Sequence, residues 1–459
     1  MGLIRGVSGV RGIVGRDITE ETAALYGRAF GATVRGAVAV GRDSRRGGDR
    51  LAAAVRRGVR ESGSGAIDLG VVPTPTVGVA TRLRGFAGGI AVTASHNPEE
   101  WNGFKFFSPR GVFLTREEVE RVFDLADGGG GAVRSDGPAE SAWSGAADEH
   151  VRLVASCPFV DRDAIARMRP RVALDCVNAA GSVVLPGLLR DLGCDVVELS
   201  CAAGEPFSRG AEPVPEHLAA LSEAVVRERA AAGLACDPDA DRLAIVDERG
   251  RPVGEEYTLA LAADVVLTAR PGPVVANVST SLMIEDVARA HGAPLWRTAV
   301  GEINVVARML EVNAVVGGEG NGGVIVPSVH PGRDAATAAA LVMTALARPG
   351  AGPASAVVAR FPTYSMVKRK VAAAVPSQQA LTESMAAAFS GATPDLTDGV
   401  KMCWPGRWVH VRMSGTEPVV RVIAEAGSPA DARSLADAAE GVVSRMSEGT
   451  RPCAASSRS

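Results

Sequence analysis

Residues 91–107 read AVTASHNPEEWNGFKFF, and the rest of the chain is organised around this stretch. The apolar run at residues 89–92 predicts a buried strand, which small and polar residues end abruptly. Asn97 precedes Pro98, and a residue before proline is pushed out of the helical region toward an extended or turn conformation. Ser95 is therefore predicted to lie on a tight loop at a strand end, where its hydroxyl is offered to a ligand. For Ser95 taken alone, a plain turn residue is the alternative.

Strand and helix patterns alternate on both sides of this loop. A helix is predicted at residues 19–33 with Thr19 as its cap, and strands at 37–40 and 66–72 flank a helix at 51–62. Similar blocks, each with a buried strand that leads into a polar or glycine-rich loop, begin near residues 171 and 254. Such alternation favours α/β layers with a largely parallel sheet. The pattern predicts one α/β domain type used three times, followed by a smaller α+β domain.

The predicted division of the chain has four domains and a tail. The domains are bounded at 1–147, 148–250, 251–360 and 361–448, and a disordered tail is expected at 449–459. Before the second domain, a glycine run at 128–131 and a polar run at 135–147 predict a flexible stretch.

The composition is that of a globular protein, and it excludes several classes of function. The 459 residues are 46% hydrophobic and 22% charged, which provides ample core. No apolar stretch reaches the roughly 18 residues needed to span a bilayer, so no membrane partner is expected. A net charge of −3 leaves no basic footprint for nucleic acid. The seven cysteines include no CxxC pair, which indicates neither a zinc site nor a disulfide framework and favours a reducing cytoplasm.

Three carboxylates alternate in the sequence DPDADR at residues 237–242: Asp237, Asp239 and Asp241. In an extended turn this spacing brings the carboxylates to one point, as a hard divalent cation requires. An EF-hand loop is disfavoured, because Arg242 stands at the sixth position, where glycine is needed, and a strand follows. A solvated acidic turn is the remaining alternative. An oxygen-only site with room for a phosphate oxygen suits Mg²⁺.

A glycine-rich loop, GGEGNGG at residues 317–323, carries Glu319 and Asn321. Glycines let the backbone approach a ligand closely, and these two side chains have the groups to hydrogen-bond sugar hydroxyls. No Gly-Lys-Ser/Thr follows, so the loop is not a P-loop. A bare turn is the alternative.

Phosphate-binding groups are predicted in RMSGTEP at residues 412–418 and on the strand that follows. Hydroxyls and backbone N–H groups in a turn bind phosphate oxygens, and arginine adds bidentate charge-assisted bonds. The residues concerned are Arg412, Ser414, Gly415, Thr416 and Arg421. A structural turn with surface arginines is the alternative.

Taken together, these motifs resemble those of a known family. TASHNP with NGFK, DPDADR, GEGNGG and RMSGTEP occur in the order and spacing of the four site motifs of the α-D-phosphohexomutases. The segment SGVRG near the N-terminus is similar to the family's arginine-containing motif. The resemblance extends to about residue 445, and it implies three related α/β domains and a fourth, smaller domain around a central cleft.

The resemblance also implies a role for each matched residue. Ser95 would be the phosphoserine that donates phosphate to the sugar and recovers it. Mg²⁺ would be held by a phosphoserine oxygen together with Asp237, Asp239 and Asp241. The reacting group would be surrounded by Arg11, His96, Lys105 and Arg242. The sugar would be contacted by Glu319 and Asn321. The distal phosphate would be held by Arg412, Ser414, Gly415, Thr416 and Arg421.

The family reaction moves phosphate between O1 and O6 of a hexose through a bisphosphorylated sugar that reorients in the cleft. Hexose phosphates are therefore the expected partners, with Mg²⁺ and a hexose 1,6-bisphosphate activator as cofactors. Serine is a poor nucleophile, so a metal and arginines must spread charge over the phosphate oxygens. Either Lys105 or His96 could transfer the proton of the sugar hydroxyl. Domain closure is expected, because water must be kept from the phosphoserine.

Departures from the family pattern bear on the substrate. Many glucose and mannose members have a histidine where this chain has Gly323, and His330 is a candidate to replace it. RMSGTEP resembles phosphoglucosamine mutases, whereas residues 204–218 resemble phosphomannomutase/phosphoglucomutase members and archaeal-type phosphoglucosamine mutases. The favoured reaction converts glucosamine 6-phosphate to glucosamine 1-phosphate, with phosphoglucomutase/phosphomannomutase activity as the alternative. Rivals from other classes are a metal-dependent phosphatase or kinase-like transferase and a non-catalytic sugar-phosphate-binding protein.

Overall fold

The computed structural model describes residues 2–134, 138–373, 375–413 and 419–449. Within these residues the chain forms four sheets, each covered by its own helices. None of the described helices is long and apolar enough to cross a membrane. The predicted tail lies outside the described residues, apart from Gly449 at the end of the last helix.

The first α/β unit is built on a seven-stranded mixed sheet. Its strands are β1 (Ile4–Gly6), β2 (Gly9–Ile13), β3 (Val38–Arg42), β4 (Ala66–Val71), β5 (Gly88–Val92), β6 (Trp101–Phe107) and β7 (Ser141–Ala142). Its helices are α1 (Glu20–Val34), α2 (Gly48–Glu61), α3 (Thr74–Leu83) and α4 (Arg116–Asp127). The strand order is β1-β2-β6-β5-β3-β4-β7, with β3 parallel to both β4 and β5 and with β6 antiparallel to β5. The stretch at residues 91–107 therefore forms the middle of this sheet and the loop that joins β5 to β6.

The first predicted helix boundary is confirmed. The side chain of Thr19 accepts a hydrogen bond from the backbone N–H of Thr22, so it caps α1 as its position in the sequence predicted. Thr115 and Glu118 form a capping box at the start of α4 in the same way.

The second unit has a four-stranded sheet. The sequence DPDADR at residues 237–242 (the metal loop) follows one of its central strands. Its strands are β8 (Arg171–Asp175), β9 (Asp195–Leu199), β10 (Ala232–Cys236) and β11 (Leu243–Val246). Its helices are α5 (Ala146–Ala155), α6 (Arg162–Met168), α7 (Leu185–Asp191) and α8 (Ala219–Glu228). The order is β11-β10-β8-β9, with only the β10–β11 pair antiparallel.

The third unit repeats this arrangement. Its strands are β12 (Val274–Asn277), β13 (Leu295–Thr298), β14 (Val316–Glu319) and β15 (Gly323–Ile325), in the order β13-β12-β14-β15. Its helices are α9 (Glu256–Ala269), α10 (Met283–Ala290), α11 (Glu302–Val312), α12 (Ala335–Ala347) and α13 (Ala354–Val358). Nearly every residue of α12 is buried, because this helix packs against α9 of its own unit and against α5, α6 and α7 of the second unit. A helix that is apolar on all sides is stable only when it is enclosed in this way, and α12 thus joins the two cores.

The last unit is a five-stranded antiparallel sheet covered by two helices. Its strands are β16 (Ser365–Val371), β17 (Thr393–Asp395), β18 (Val400–Trp404), β19 (Arg407–Met413) and β20 (Val420–Ala426), in the order β16-β20-β19-β18-β17. Its helices are α14 (Gln378–Ala388) and α15 (Pro429–Gly449). The predicted fold class, three related mixed α/β domains and a smaller C-terminal α+β domain around a cleft, is confirmed.

Two local predictions differ from the structure. The strand expected at residues 314–316 is β14, which begins at Val316 and runs into the glycine-rich loop, because β12 and β15 pair with it on both sides. The polar run predicted to be flexible contains β7, which pairs in parallel with β4, and its residues 135–137 lie outside the described residues. Trp143 in this run packs against Arg84, with 4.2 Å between the guanidinium carbon and the ring centroid.

Candidate active site

Ser95 lies in the loop between β5 and β6, at the carboxyl end of a buried strand. Its backbone is left-handed, with φ of 53°, a conformation that costs free energy for a residue with a side chain. The N–H of Ser95 donates to the hydroxyl of Thr93 at 3.0 Å, and that hydroxyl donates to Asp43 at 2.6 Å. The strained loop is therefore held by contacts to its backbone and not through the hydroxyl of Ser95.

Arg45 fixes the same loop from the end of β3, although the motifs predicted no role for it. Its guanidinium is buried and pairs with Asp43, with 2.9 Å between Nε and Oδ2. The remaining N–H groups donate to backbone carbonyls of the loop: those of Ser95, Asn97, Pro98 and Trp101. One arginine thus binds four backbone carbonyl groups of the turn.

The three alternating carboxylates meet at one point after β10, as their spacing predicted. One oxygen of each lies within 4.8 Å of the others, and all three residues are buried. Oδ1 of Asp237 accepts hydrogen bonds from the backbone N–H groups of Asp241 and Arg242, each at 3.1 Å, which orients the loop. Oδ2 of Asp239 accepts from the hydroxyl of Thr74 at 2.6 Å.

The chemistry of this cluster fits a hard divalent cation. Among the described residues, Oδ1 of Asp239 and Oδ1 of Asp241 are buried acceptors that have no hydrogen-bond partner. Burial and the charges of Asp241 and Asp239 raise the pKa of Asp237 well above its ordinary value. A bound Mg²⁺ ion would supply positive charge to compensate these carboxylates, and it would coordinate the oxygens that have no hydrogen-bond partner. The Oγ of Ser95 lies 3.5 Å from Oδ2 of Asp237, so the serine faces this cluster directly.

The four predicted cationic or basic groups lie around the same point. Lys105 on β6 donates to Oδ2 of Asp239 at 2.7 Å, and despite burial the charges of Asp239 and Asp241 raise its pKa. Nδ1 of His96 lies 3.4 Å from the Oγ of Ser95. The charge of Arg242, together with burial and Arg11, lowers the pKa of His96 well below its ordinary value.

Arg242 and Arg11 are each anchored by a hydrogen bond to a neighbouring side chain. The guanidinium of Arg242 is buried and donates to Glu212 at 2.8 Å. The guanidinium of Arg11 on β2 donates to the side-chain oxygen of Asn97 at 3.0 Å, within the serine loop. The structure thus brings together all the residues predicted to surround the reacting group.

In the glycine-rich loop at residues 317–323 (the sugar loop), Glu319 is the last residue of β14. Both of its carboxylate oxygens accept hydrogen bonds from the protein. Oε1 accepts from Nδ2 of Asn277 at 2.8 Å and from the N–H of Gly301 at 3.0 Å. Oε2 accepts from Arg333 at 2.8 Å. Asn321 accepts from the N–H of Gly323 at 3.2 Å, which closes the turn to β15.

The structure describes the predicted phosphate site only in part. Arg412 near the end of β19 lies opposite Arg421 on β20, and its guanidinium is 3.4 Å from Oδ2 of Asp398. Three further residues predicted for this site lie outside the described residues: Ser414, Gly415 and Thr416.

His330 is the candidate to replace the histidine that many family members have at the position of Gly323. It is buried in the interior of the protein. Its ring is 2% exposed and packs against α3, where a Cβ added at Gly78 would be 2.5 Å from Cε1. Burial lowers its pKa to about 3. Arg333, which no motif predicted, does contact this loop through Glu319, and its sequence, GRD at residues 332–334, directly precedes α12.

Comparison with known proteins shows the family of the chain. The chain matches the phosphoglucomutase/phosphomannomutase family models for alpha/beta/alpha domain I at residues 2–129, domain II at 148–250, domain III at 254–364 and the C-terminal domain at 370–442. It is 38% identical to a phosphoglucomutase/phosphomannomutase of Thermococcus kodakarensis, covering 94% of this chain and 96% of that one. It is 36% identical to a probable phosphoglucosamine mutase of Methanopyrus kandleri, covering 98% and 100%.

Solved structures have the same fold. A phosphoglucomutase/phosphomannomutase family protein from Burkholderia thailandensis superposes with a TM-score of 0.85 at 26% identity, covering 98% of each chain. The fold and the cluster of serine, carboxylates and cations define a phosphosugar mutase. The chain belongs to the phosphoglucomutase/phosphomannomutase family, the α-D-phosphohexomutases. It is an enzyme of the isomerase class.

Proposed function

We propose that the enzyme interconverts hexose 6-phosphate and hexose 1-phosphate through a phosphorylated Ser95 and a bisphosphorylated sugar. The observation that carries this proposal is the position of the Ser95 Oγ, 3.5 Å from Oδ2 of Asp237 and beside three converging carboxylates. A serine whose backbone is held in a strained turn, next to a divalent-cation site, has the means to carry a phosphoryl group. It is also enclosed by the cations that such a group requires.

The reaction has two balanced halves. The sugar hydroxyl attacks phosphorus, the bond from phosphorus to Oγ of Ser95 breaks, and the hydroxyl proton passes to a base. After the bisphosphorylated sugar reorients, Oγ of Ser95 attacks the other phosphorus, the bond from that phosphorus to the sugar oxygen breaks, and this oxygen takes the proton back from the base. His96 and Lys105 are the two candidates for this base: Nδ1 of His96 lies 3.4 Å from Oγ of Ser95, and the ammonium of Lys105 lies 2.7 Å from Oδ2 of Asp239.

Each charged neighbour has a defined part in this scheme. Mg²⁺ held by the three aspartates would draw negative charge from the phosphoryl oxygens. Lys105, Arg242 and Arg11 place positive charge around the same oxygens. Glu319 and Asn321 orient the sugar, and hexose 1,6-bisphosphate is the proposed activator, since it phosphorylates Ser95 before turnover. The non-reacting phosphate is assigned to Arg412 and Arg421 with the loop between their strands, where remote binding positions the reacting end.

The proposed physiological substrate is glucosamine 6-phosphate. It is supported by the 36% identical relative named as a probable phosphoglucosamine mutase, which this chain matches over nearly its whole length, and by the sequence RMSGTEP. The second candidate activity is that of a phosphoglucomutase/phosphomannomutase, which is favoured by the name of the 38% identical relative.

Turnover on glucosamine 6-phosphate, glucose 1-phosphate and mannose 1-phosphate, measured side by side, separates the two activities. Each assay contains Mg²⁺ and a trace of the matching bisphosphate. A strong preference for glucosamine 6-phosphate supports the first activity, and equal or higher rates on the other two support the second. Absence of turnover on all three, with Ser95 phosphorylated, would contradict both.

A further inference from the structure

We infer that Arg333 is a positioning residue that couples the metal loop of the second unit to the sugar loop of the third. Its guanidinium uses each of its three nitrogens for a different carboxylate. The distances are 2.7 Å from Nη2 to Oδ2 of Asp241, 2.8 Å from Nη1 to Oε2 of Glu319, and 3.0 Å from Nε to Oε2 of Glu302. These partners belong to the metal loop, to the end of β14 and to the start of α11, respectively.

Glu302 also anchors the backbone of Arg333. Its N–H donates to Oε1 of Glu302 at 3.0 Å, so one glutamate binds the residue at both ends. The next residue, Asp334, caps α12, the helix that joins the cores of the second and third units. A planar guanidinium fixed in this way sets the direction as well as the distance of each carboxylate, which a lysine ammonium cannot do.

Gly323 provides the space that this side chain occupies. A Cβ at position 323 would lie 2.3 Å from Cδ and 3.0 Å from Cγ of Arg333, closer than non-bonded carbon atoms can approach. The backbone of Gly323 is not in the left-handed region, so its conformation is open to any residue. The requirement for glycine at the start of β15 therefore comes from the side chain of Arg333 and also from Oδ1 of Asn321, which would lie 3.0 Å from the added Cβ.

The arrangement makes the two binding sites depend on each other. Arg333 holds Oδ2 of Asp241, which leaves Oδ1 as the oxygen without a hydrogen-bond partner among the described residues, available to a cation. The same guanidinium fixes Oε2 of Glu319, the proposed sugar ligand. A shift of the sugar loop on ligand binding is thereby passed to a metal ligand, and such coupling must be reciprocal. This inference rests on the proposed function, in which Glu319 contacts the sugar.

The test uses Mn²⁺ as a spectroscopic substitute for Mg²⁺, in a Ser95→Ala background that cannot turn over. The dissociation constant of Mn²⁺ is measured by electron paramagnetic resonance, without and with saturating glucosamine 6-phosphate. In the parent protein the sugar phosphate is expected to tighten Mn²⁺ binding about 5- to 100-fold. Arg333→Lys keeps the positive charge but loses the planar guanidinium with its several N–H donors. We expect it to reduce this factor below about 2-fold and to weaken Mn²⁺ binding about 10-fold in the absence of sugar phosphate.

A second variant tests the same coupling while Arg333 itself is kept. Gly323→Ala should reproduce the loss of coupling, because its Cβ displaces Arg333. Arg82→Lys is the control: Arg82 is a half-buried arginine that contacts a nearby segment, through the carbonyl of Val329, but pairs with none of these carboxylates. It should leave both Mn²⁺ measurements unchanged.

The outcomes separate this inference from the proposed function. Full coupling and unchanged Mn²⁺ affinity in Arg333→Lys would overturn the inference while leaving the mutase proposal intact. Failure of the parent protein to bind any hexose phosphate would contradict the proposed function instead. The sugar-free Mn²⁺ measurement would still decide whether Arg333 positions Asp241.

Discussion

The ammonium nitrogen of Lys105 lies 2.7 Å from Oδ2 of Asp239, so a strand of the first unit directly contacts the metal loop of the second. The same ammonium is 3.4 Å from Oδ2 of Asp241. In the absence of a divalent cation, Lys105 is thus a counter-ion of the three aspartates. Both partners are almost fully buried, so loss of the lysine leaves negative charge with little solvent to screen it.

We expect Lys105→Met to make the stability of the protein depend strongly on Mg²⁺. Removal of one partner from a buried ion pair costs about 3–5 kcal/mol, because the other charge stays uncompensated. Bound Mg²⁺ replaces the missing charge, so the rise in Tm from EDTA to excess Mg²⁺ should be larger in the variant than in the wild type. Lys368→Met is the control, since Lys368 is 45% exposed and pairs with Glu255 rather than with the aspartates. An equal rise in Tm in wild type and Lys105→Met would contradict the expectation.

Ser95→Ala should remove nearly all turnover and leave the fold intact. The contacts that hold the loop are made by the backbone N–H and carbonyl of Ser95, which the substitution keeps, while the proposed phosphate carrier is lost. Mass spectrometry after incubation with a hexose bisphosphate should find one added phosphoryl group in the wild type and none in the variant. Ser44→Ala is the matched control, because Ser44 is a buried serine whose hydroxyl donates to the carbonyl of Asn178. Wild-type activity in Ser95→Ala would remove this residue from the mechanism.

The loops that carry Ser95 and the three aspartates could be predicted from the sequence, because the determinants are local. An apolar strand, a proline or an alternating set of carboxylates lies within a few residues of the group it places. The start of α1 after Thr19 was predicted for the same reason, because the capping residue lies next to the helix that it begins. These features need no knowledge of what the segment packs against.

Arg45 and Arg333 could not be predicted, because their partners are distant in the sequence. Arg45 donates to Ser95, which is 50 positions away, and Arg333 to Asp241, which is 92 positions away. The extension of β14 into the glycine loop was missed for a related reason, since pairing with β12 and β15 overrides the weak strand propensity of glycine. In each case, tertiary contacts rather than the local sequence decide the outcome.

We expect Glu256 to make the free energy of unfolding fall as the pH rises from about 4.5 to about 7. Burial is the main cause that raises the pKa of Glu256 from 4.5 to about 7 in the folded protein. The folded state therefore binds the proton more tightly than the unfolded state, and this stabilisation is present below pH 4.5 and lost as the pH passes 7. A shift of this size corresponds to roughly 3 kcal/mol.

The check compares urea unfolding of the wild type and Glu256→Gln at pH 5 and pH 7.5. The glutamine cannot titrate, so the variant should lose less stability between the two pH values than the wild type. Glu383→Gln, a substitution on the exposed side of α14, should keep the wild-type difference. Identical pH dependence in wild type and Glu256→Gln would show that burial of this carboxyl is not linked to stability.

Helices α1 and α2 cross at glycines, and Gly58→Ala should be strongly destabilising. A Cβ at Gly58 would lie 1.9 Å from the carbonyl oxygen of Ala24, and one at Gly27 would lie 2.3 Å from that of Val55. These neighbours are backbone atoms and cannot turn aside, so the helices must move apart within a close-packed core. Overpacking of this kind costs about 1–3 kcal/mol, which should appear as a lower urea midpoint.

Gly187→Ala separates this steric effect from the general effect of removing a helical glycine. Gly187 lies in α7 on the surface, and an added Cβ would meet nothing within 4 Å. Alanine is favoured over glycine in helices by up to about 1 kcal/mol, so this variant should be as stable as the wild type or more so. The crossing of α1 and α2 lies in the core of the first unit and not among the reacting groups, so Gly58→Ala should keep its kcat per folded molecule. A parallel loss of kcat and stability would mean that the crossing also positions the Ser95 loop, because both features belong to the same seven-stranded unit.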